Sequence, residues 1–270
     1  MNPYPQHPAN PPRPQPPEFE RSAPPSSSVP PRKVPVKLPA TPPYVTYTLL
    51  GITVLVYLLQ VGAEYLIGFD MPAYYGIKVN TLIAQGDLWR LFTPMLLHGS
   101  ITHIAFNMYA LHLFGPGLER YFGHWRLLAL YVLSGFGGNV VSMMFTESPS
   151  LGSSTAIFGL LGAQGVFMYQ NRDVFEGVAR RALGNIISVA LINLVIGISP
   201  GIDNWGHIGG LIGGVSFTWL GGPILKVTGI YPALSLSDQR ESNAVIQAFV
   251  VVGVFFGFLA AGAVYLMQLG

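Results

Sequence analysis

The chain has 270 residues, of which half are hydrophobic and only a tenth are charged. Soluble domains carry about a quarter charged residues, so this composition favours the lipid bilayer as the solvent. The net charge is only +2, which excludes a strongly basic surface for nucleic acid. Cysteine is absent, which excludes disulfides, thiolate metal sites and a cysteine nucleophile.

The N-terminal segment, residues 1–43, holds most of the prolines and almost no aliphatic residues. Such a segment buries too little apolar surface to offset its ordering entropy, so we predict a disordered tail. Its simplest role is that of a spacer, and the alternative is a docking site for a proline-binding module. Because no apolar stretch opens the chain, we expect no cleavable signal peptide there.

Seven mostly apolar stretches follow, each near the roughly 20 residues that a membrane-spanning helix needs. We predict spans at 44–67, 101–117, 124–145, 154–169, 182–198, 205–220 and 244–267. The second, fourth and sixth are short and carry Gly, Ser, Asn or His, which favours burial among neighbouring helices over contact with lipid. The first and last spans carry fewer polar residues and are expected to face lipid.

Basic residues collect on one side of this layout. Of the 14 Lys and Arg residues, only Lys78 and Arg90 fall on the opposite side, in the connection between the first two spans. The positive-inside rule then places the N-terminus in the cytoplasm and, after seven spans, the C-terminus outside. The predicted organisation is a cytoplasmic tail (1–43), a six-helix core (44–222), a cytoplasmic linker (223–243) and one further helix (244–270).

Polar residues within the spans are candidates for function, because hydrocarbon offers them no partner. The run Gly152-Ser153-Ser154-Thr155 opens the fourth span. One of its hydroxyls could simply cap the helix. A serine at a helix N-terminus could also attack a carbonyl while nearby backbone N–H groups receive the oxyanion.

The sixth span opens from the same side and carries a histidine within a glycine-rich run. Gly206, Gly210 and Gly214 recur every four residues, which predicts close packing against the small residues of the fourth span. If those faces meet, Ser154 and His207 lie at the same depth and His207 becomes a candidate general base. The alternative is a histidine with a structural role only.

Three further polar residues begin the second span, namely His98, His103 and Asn107. His103 and Asn107 are four residues apart and share a helical face, from which their side chains could stabilise an oxyanion. They could equally be polar contacts between helices. A metal site of His98, His103 and His207 is a third option, but no acidic ligand is evident at that depth, so we predict neither a metal nor a cofactor.

Two charged motifs have simpler structural interpretations. Glu119-Arg120 follows Gly115-Pro116-Gly117 at the end of the second span, which predicts a turn and a charge pair tying the helix end to its neighbours. Trp89-Arg90 predicts an interfacial aromatic anchor beside a cation that holds the loop.

Taken together, these motifs resemble the rhomboid family of intramembrane serine proteases. The family's nucleophile motif, Gly-x-Ser-Gly before a small and apolar run, matches residues 152–160 and puts Ser154 in register. Its base motif, Ala-His-x-Gly-Gly-x-x-x-Gly, matches residues 206–214 and puts the base at His207. The resemblance covers about residues 44–220, with the motifs in the expected order.

The same resemblance assigns roles to the remaining motifs. It makes His103 and Asn107 oxyanion-site residues, matches Trp89-Arg90 to the family's first external loop, and matches residues 115–119 to a Gly-x-x-x-Glu pattern.

Two positions depart from the family pattern. Thr155 stands where the family has Gly, and Gly206 stands where it has Ala. We expect Thr155 to add a methyl and a hydroxyl beside the oxyanion site and to restrict substrates modestly. We expect Gly206 only to let the sixth span pack slightly closer to its neighbouring helix.

The resemblance implies an all-α membrane protein with a rhomboid-like bundle of six core helices plus one. It further implies a serine endopeptidase of a bacterial plasma membrane that cleaves transmembrane proteins, with its active site toward the outside. One alternative is a rhomboid-like pseudoprotease that binds client helices without cutting them, which the presence of both Ser154 and His207 disfavours. Another is a channel or transporter, whose polar residues would line the whole depth of the bundle rather than one end.

Asp203 is the only acid near the candidate base and lies four residues before it. On a continuous helix the two would share a face, so a triad has to be considered. Since Pro200-Gly201 marks a loop, we expect Asp203 or Asn204 to cap the sixth helix and Asp203 to face water. That arrangement leaves Ser154 and His207 as a dyad.

Overall fold

The computed structural model describes residues 34–269. Most of the predicted tail, including any docking site within residues 1–33, lies outside the described residues. The helices are α1 (Tyr44–Ile67), α2 (Met71–Gly76), α3 (Asn80–Ala84), α4 (Ile101–Phe122), α5 (His124–Phe145), α6 (Ser154–Gln170), α7 (Ala179–Ile196), α8 (Asn204–Gly221) and α9 (Ser242–Leu269). Two 3₁₀ turns, Leu88–Leu91 and Thr93–Leu96, lie between α3 and α4.

Each of the seven predicted spans corresponds in order to one long helix, which confirms the all-α architecture. Among the described residues, four helices are long and apolar enough to cross a membrane, namely α1, α5, α7 and α9. The remaining three are α4, α6 and α8, the helices whose sequences carry small and polar residues.

Helices α5, α6 and α8 form the centre of the bundle. The most apolar stretch of α5 is 78% buried, against 17% in α1, 11% in α7 and 22% in α9. Helix α4 differs from the prediction of an enclosed helix, because Phe106, Tyr109 and Leu113 are exposed along one of its faces. Helix α5 is enclosed instead, since Gly137 and Gly138 let α9 and α6 approach it closely.

Helix α8 packs through glycine on two sides. A Cβ atom at Gly210 would overlap the Thr155 carbonyl oxygen of α6, and one at Gly214 would overlap the Gly159 carbonyl oxygen. A second set of glycines faces α5, where a Cβ at Gly209 would lie 2.7 Å from the Gly137 oxygen. The four-residue glycine repeat predicts the first of these glycine faces and not the second.

The end of α4 corrects the predicted turn. The helix continues through Pro116 to Phe122, and Gly115 lies so close to Thr46 that an added Cβ would be 2.5 Å from the Thr46 methyl. The buried Glu119 carboxylate accepts hydrogen bonds from the N–H groups of Val45 and Thr46, both at 2.8 Å. It therefore caps the first turn of α1, where negative charge is favourable.

Glu119 also contacts the start of α5, so it ties the helix end to its neighbours as expected. Its Oε1 lies 2.7 Å from His124 Nδ1, and no ion pair joins Glu119 to Arg120 among the described residues. The carboxylate thus ties three chain segments together, namely the start of α1, the end of α4 and the start of α5.

A small sheet lies outside the helices. Its strands are β1 (Val36–Lys37), β2 (Leu225–Thr228) and β3 (Leu234–Asp238), in the order β1-β3-β2. Strand β3 is antiparallel to β2 and parallel to β1. The segment 223–243, predicted as a linker, therefore forms a hairpin, and two residues assigned to the disordered tail form its third strand.

The glycine contacts predict a position-dependent effect of alanine. Gly210→Ala should cost about 2 kcal/mol of unfolding free energy, because its methyl group would displace the α6 backbone. Gly257→Ala in α9, where the space around the Cβ is open, should be neutral or slightly stabilising, since alanine is the better helix former by roughly 1 kcal/mol. Equilibrium unfolding in mixed micelles, followed by circular dichroism, compares the two variants; equal stabilities would contradict the packing.

Candidate active site

Ser154 and His207 meet at one end of the bundle. Ser154 is the first residue of α6 and His207 lies in the first turn of α8, and the glycine contacts between these helices set their starts side by side. Ser154 Oγ lies 3.0 Å from His207 Nε2. Among the described residues no side chain caps the N-terminus of α6, so the capping alternative does not describe either serine.

The ring of His207 is held by stacking. It lies on the Phe158 ring with centroids 4.2 Å apart and planes inclined by 11°. Within the described residues its Nδ1 atom has no hydrogen-bond partner. Phe158 comes one helical turn after Ser154 and was not recognised from the sequence, although the spacing of four places both on one face.

The chain leading to Ser154 requires glycine at one position. Gly152 has φ +132°, a conformation that L side chains rarely adopt. A Cβ there would also lie 2.7 Å from His103 Nε2. The imidazole of His103 is therefore next to the backbone that precedes the candidate nucleophile.

Asn107 lies one turn further along α4 and is buried. Its amide nitrogen donates a hydrogen bond of 3.0 Å to the His103 carbonyl oxygen. A side-chain amide has two N–H donors, so one remains for another acceptor. The structure brings His103 to the site and places Asn107 behind it on the same helical face.

The neighbouring serine points into the protein. Ser153 Oγ lies 3.2 Å from His98 Nε2, and both residues are buried. Burial lowers the pKa of His98 to about 4, and the neighbouring His103 acts in the same direction. The Ser153–His98 contact is therefore a neutral hydrogen bond enclosed in the protein, between the loop before α4 and the start of α6.

Thr155 does not lie as expected. Its side chain is buried and points between helices, where added Cβ atoms at Gly138 and Gly206 would approach its Cγ2 to 2.9 and 3.0 Å. The methyl group thus fills space left by glycines of α5 and α8. The two departures from the family pattern are consequently coupled, because alanine at position 206 would crowd Thr155.

Asp203 caps α8, as expected, but it does not face water. Its Oδ1 accepts a hydrogen bond of 2.9 Å from the Gly206 N–H, and its Oδ2 accepts one from the Ser142 hydroxyl of α5. The residue is half-buried. The expectation of a solvent-facing carboxylate is wrong because α5 supplies a donor that the local sequence does not reveal.

Arg90 and Trp89 lie in the connection between α1 and α4. The buried Arg90 guanidinium donates hydrogen bonds to the carbonyl oxygens of Tyr74 and Ile77 and pairs with Asp87 at 2.9 Å. The half-exposed Trp89 donates its indole N–H to a carbonyl oxygen in α2, 3.0 Å away. Both side chains therefore bind backbone of the same connection.

Thr155 and Gly206, the two positions that depart from the family pattern, are in contact. We therefore predict that the effects of substitutions at these positions on stability are coupled. Gly206→Ala should cost about 1 to 2 kcal/mol of unfolding free energy through crowding. Thr155→Ser removes the crowding methyl group, so the double variant should be more stable than the sum of the single effects by on the order of 1 kcal/mol. Gly165→Ala, which meets only Ile186 at 3.6 Å, should be additive with Thr155→Ser. Additivity of both pairs in unfolding experiments would contradict the coupling.

Several known proteins are similar in sequence to this chain. Rhomboid protease GluP of Bacillus subtilis (strain 168) is 42% identical over 180 residues, which are 64% of this chain and 34% of that protein. RHOMBOID-like protein 9, chloroplastic, of Arabidopsis thaliana is 34% identical over 163 residues, covering 58% of this chain and 37% of that protein. RHOMBOID-like protein 6, mitochondrial, of the same plant is 40% identical over 134 residues, covering 49% and 43%.

The chain spans between about a third and a half of the length of these relatives. The Rhomboid domain matches residues 85–224, which is more than half of the chain and contains the Ser154 and His207 motifs. Together with its apolar helices, this match shows that the chain is an integral membrane protein and belongs to the rhomboid family.

Proposed function

We propose that this chain is an intramembrane serine protease that hydrolyses peptide bonds in or near the transmembrane helices of other membrane proteins. The observation that carries the proposal is the 3.0 Å contact between Ser154 Oγ and His207 Nε2 at the common end of two packed helices. A serine hydroxyl is a weak nucleophile until an adjacent base takes its proton. The distance between these two atoms suits that transfer.

In the proposed reaction, Ser154 Oγ attacks the carbonyl carbon of the scissile bond while His207 Nε2 accepts the hydroxyl proton. His207 then gives this proton to the leaving amine, and water, with His207 again as the base, hydrolyses the acyl-enzyme ester. Because Ser154 opens α6, the N–H groups of the first turn have no helical partners and lie at the positive end of the helix dipole. With His103 and Asn107 they form the proposed oxyanion site.

We propose that the pair acts as a dyad. Within the described residues nothing hydrogen-bonds His207 Nδ1, and stacking on Phe158 orients the ring instead. Both oxygens of Asp203 are engaged by Gly206 and Ser142, which supports a role for Asp203 at the helix start rather than in proton transfer.

The second candidate function is a rhomboid-like protein that binds client helices without cutting them. The names of the two plant relatives state no enzymatic activity. The contact between Ser154 and His207 favours the protease, since a binding protein has no need of a base beside the serine. The polar residues at the starts of α4, α6 and α8 likewise disfavour a channel lined along its whole depth.

The proposal predicts different roles for two adjacent serines. Ser154→Ala should abolish cleavage of a single-span substrate by the purified protein, because the nucleophile is removed. Ser153→Ala is the matched control and should retain much of the activity, since Ser153 contacts buried His98 and not His207. Cleavage products separated by electrophoresis, together with labelling by a fluorophosphonate probe, measure both variants. Full activity of Ser154→Ala would contradict the assignment.

The proposed topology puts the N-terminus in the cytoplasm of a bacterium and the active site toward the outside of its plasma membrane. The distribution of basic residues supports this topology, since twelve of the 14 Lys and Arg residues fall on the side of the N-terminus, opposite the proposed site. The side-chain amide of Gln268 donates a 2.6 Å hydrogen bond to the Ala84 carbonyl oxygen. The end of α9 is thereby tied to the connection between α1 and α4.

This topology predicts the outcome of reporter fusions. Alkaline phosphatase fused after Gly270 should be active, because it folds only outside the cytoplasm, whereas green fluorescent protein at the same position should be dark after export. A fusion in the segment after α8, between β2 and β3, should show the reverse pattern. A fluorescent C-terminal fusion would refute the orientation and with it the outward-facing site.

A further inference from the structure

Lys78 is wholly buried in the connection between α1 and α4. Lysine is almost never fully buried unless its charge is paired, so the surroundings of this side chain have to account for it. The residue takes no part in the proposed chemistry, and its sequence context marks it only as one of two basic residues on the site's side of the membrane.

The backbone of Lys78 contacts the chain that leads to the candidate nucleophile. Its N–H donates to the Ser150 carbonyl oxygen at 3.0 Å, and the Ser150 N–H donates back to the Lys78 carbonyl oxygen at 3.2 Å. Ser150 precedes Ser154 by four residues. This two-bond bridge holds the loop before α6 to the connection between α1 and α4.

The side chain of Lys78 is linked to the start of α8, the other helix of the site, through the end of α5. Its ammonium donates to Ser142 Oγ at 2.8 Å and to the Thr146 carbonyl oxygen at 3.3 Å. The Ser142 hydroxyl in turn donates to Asp203, whose other oxygen caps α8 at Gly206. A buried relay therefore runs from Lys78 through Ser142 to Asp203 and ends at the residue before His207.

Charge and geometry agree along this relay. The ammonium contacts the Ser142 hydroxyl of α5 and the carbonyl oxygen of Thr146, just after that helix. The charge of Asp203, which binds Ser142 from the start of α8, acts on it electrostatically, and of these three residues Asp203 alone is titratable. Burial lowers the pKa of Lys78 to about 8, and the negative charge of Asp203 opposes that shift. Loss of the lysine charge would leave a half-buried carboxylate without its counter-charge, which costs free energy.

We propose that Lys78 is a positioning residue for Ser154 and His207. Its backbone fixes the loop that leads to Ser154, and its side chain fixes the first turn of α8 through Ser142 and Asp203. The proposal rests on the proposed protease function. It explains how two helix starts from distant parts of the sequence keep the spacing that proton transfer requires.

Replacement of Lys78 is expected to lower kcat. A displacement of about 1 Å from a remote change can cost roughly 10²-fold in rate, so Lys78→Met should lower kcat by about that factor. KM should change much less, since Lys78 is buried and contacts no substrate. Lys226→Met, an exposed lysine of β2, is the matched control and should retain the parental kcat.

The pH profile separates positioning from a purely structural role. In the parent, kcat should fall as pH rises above about 8, where Lys78 loses its proton. Lys78→Arg should move this fall to higher pH, because arginine stays protonated, and Lys78→Met should lack it. Between about 8 and the ordinary lysine value of 10.5, the unfolded state binds more protons at this group than the folded state. The group's contribution to folding stability therefore rises with pH there, opposite to kcat.

The experiment measures kcat, KM and unfolding free energy of the parent, Lys78→Met, Lys78→Arg and Lys226→Met between pH 6 and pH 10. If Lys78→Met does not fold, Ser142→Ala breaks the same relay with a smaller change and should also lower kcat and remove the alkaline fall. Asp203→Asn keeps an oxygen that caps α8 at Gly206 and gains an amide N–H that can donate to the Ser142 oxygen, so the contact between α5 and α8 is kept and kcat should stay within about tenfold of the parent. A loss of three or more orders of magnitude would assign Asp203 to a triad and overturn the relay. The positioning proposal alone would be overturned if Lys78→Met kept the parental kcat and pH profile. Where Lys78→Met fails to fold, the same result in Ser142→Ala would overturn it. An inactive parent would instead refute the protease function.

Discussion

The structure depends on the direct packing of α8 against α6 and α5. Glycines at the contacts let helix backbones approach without intervening side chains, so that Gly210 lies on the Thr155 carbonyl and Gly214 on the Gly159 carbonyl. In lipid, helices gain little from hydrophobic association, and close packing of this kind is a main source of their stability. The same contacts set the two helix starts at one depth, which is why Ser154 and His207 can touch.

The few buried charged side chains hold helix ends and loops around this core. Glu119 binds the first turn of α1, Arg90 binds carbonyl groups between α1 and α4, and Lys78 contacts α5 and, through Ser142, the cap of α8. Each group has its hydrogen-bond partners, so removing one partner would leave an uncompensated buried charge. Apolar packing brings the helices together, and these polar contacts determine how the connections between them are arranged.

The surroundings of the candidate pair explain several local features of the chain. Phe158 orients the imidazole of His207, and His98 turns Ser153 into the protein, so that only one of two adjacent serines faces the base. The two departures from the family pattern also explain each other, since the methyl group of Thr155 occupies space that glycine leaves at position 206. A side chain expected to narrow the oxyanion site is instead part of a helix contact.

The seven helices, the glycine face of α8 and the candidate residues Ser154 and His207 could be predicted from the sequence, because apolar length, four-residue periodicity and helix-start motifs are local properties. The sequence did not reveal the enclosed position of α5, the strands flanking the bundle, or the partners of Glu119 and Asp203. Those depend on contacts between residues far apart in the chain, such as Lys78 with Ser142, separated by 64 positions. The sequence around a charged residue in a connection predicts exposure to solvent. Its burial depends on the folded chain, because the groups that bind it come from other helices.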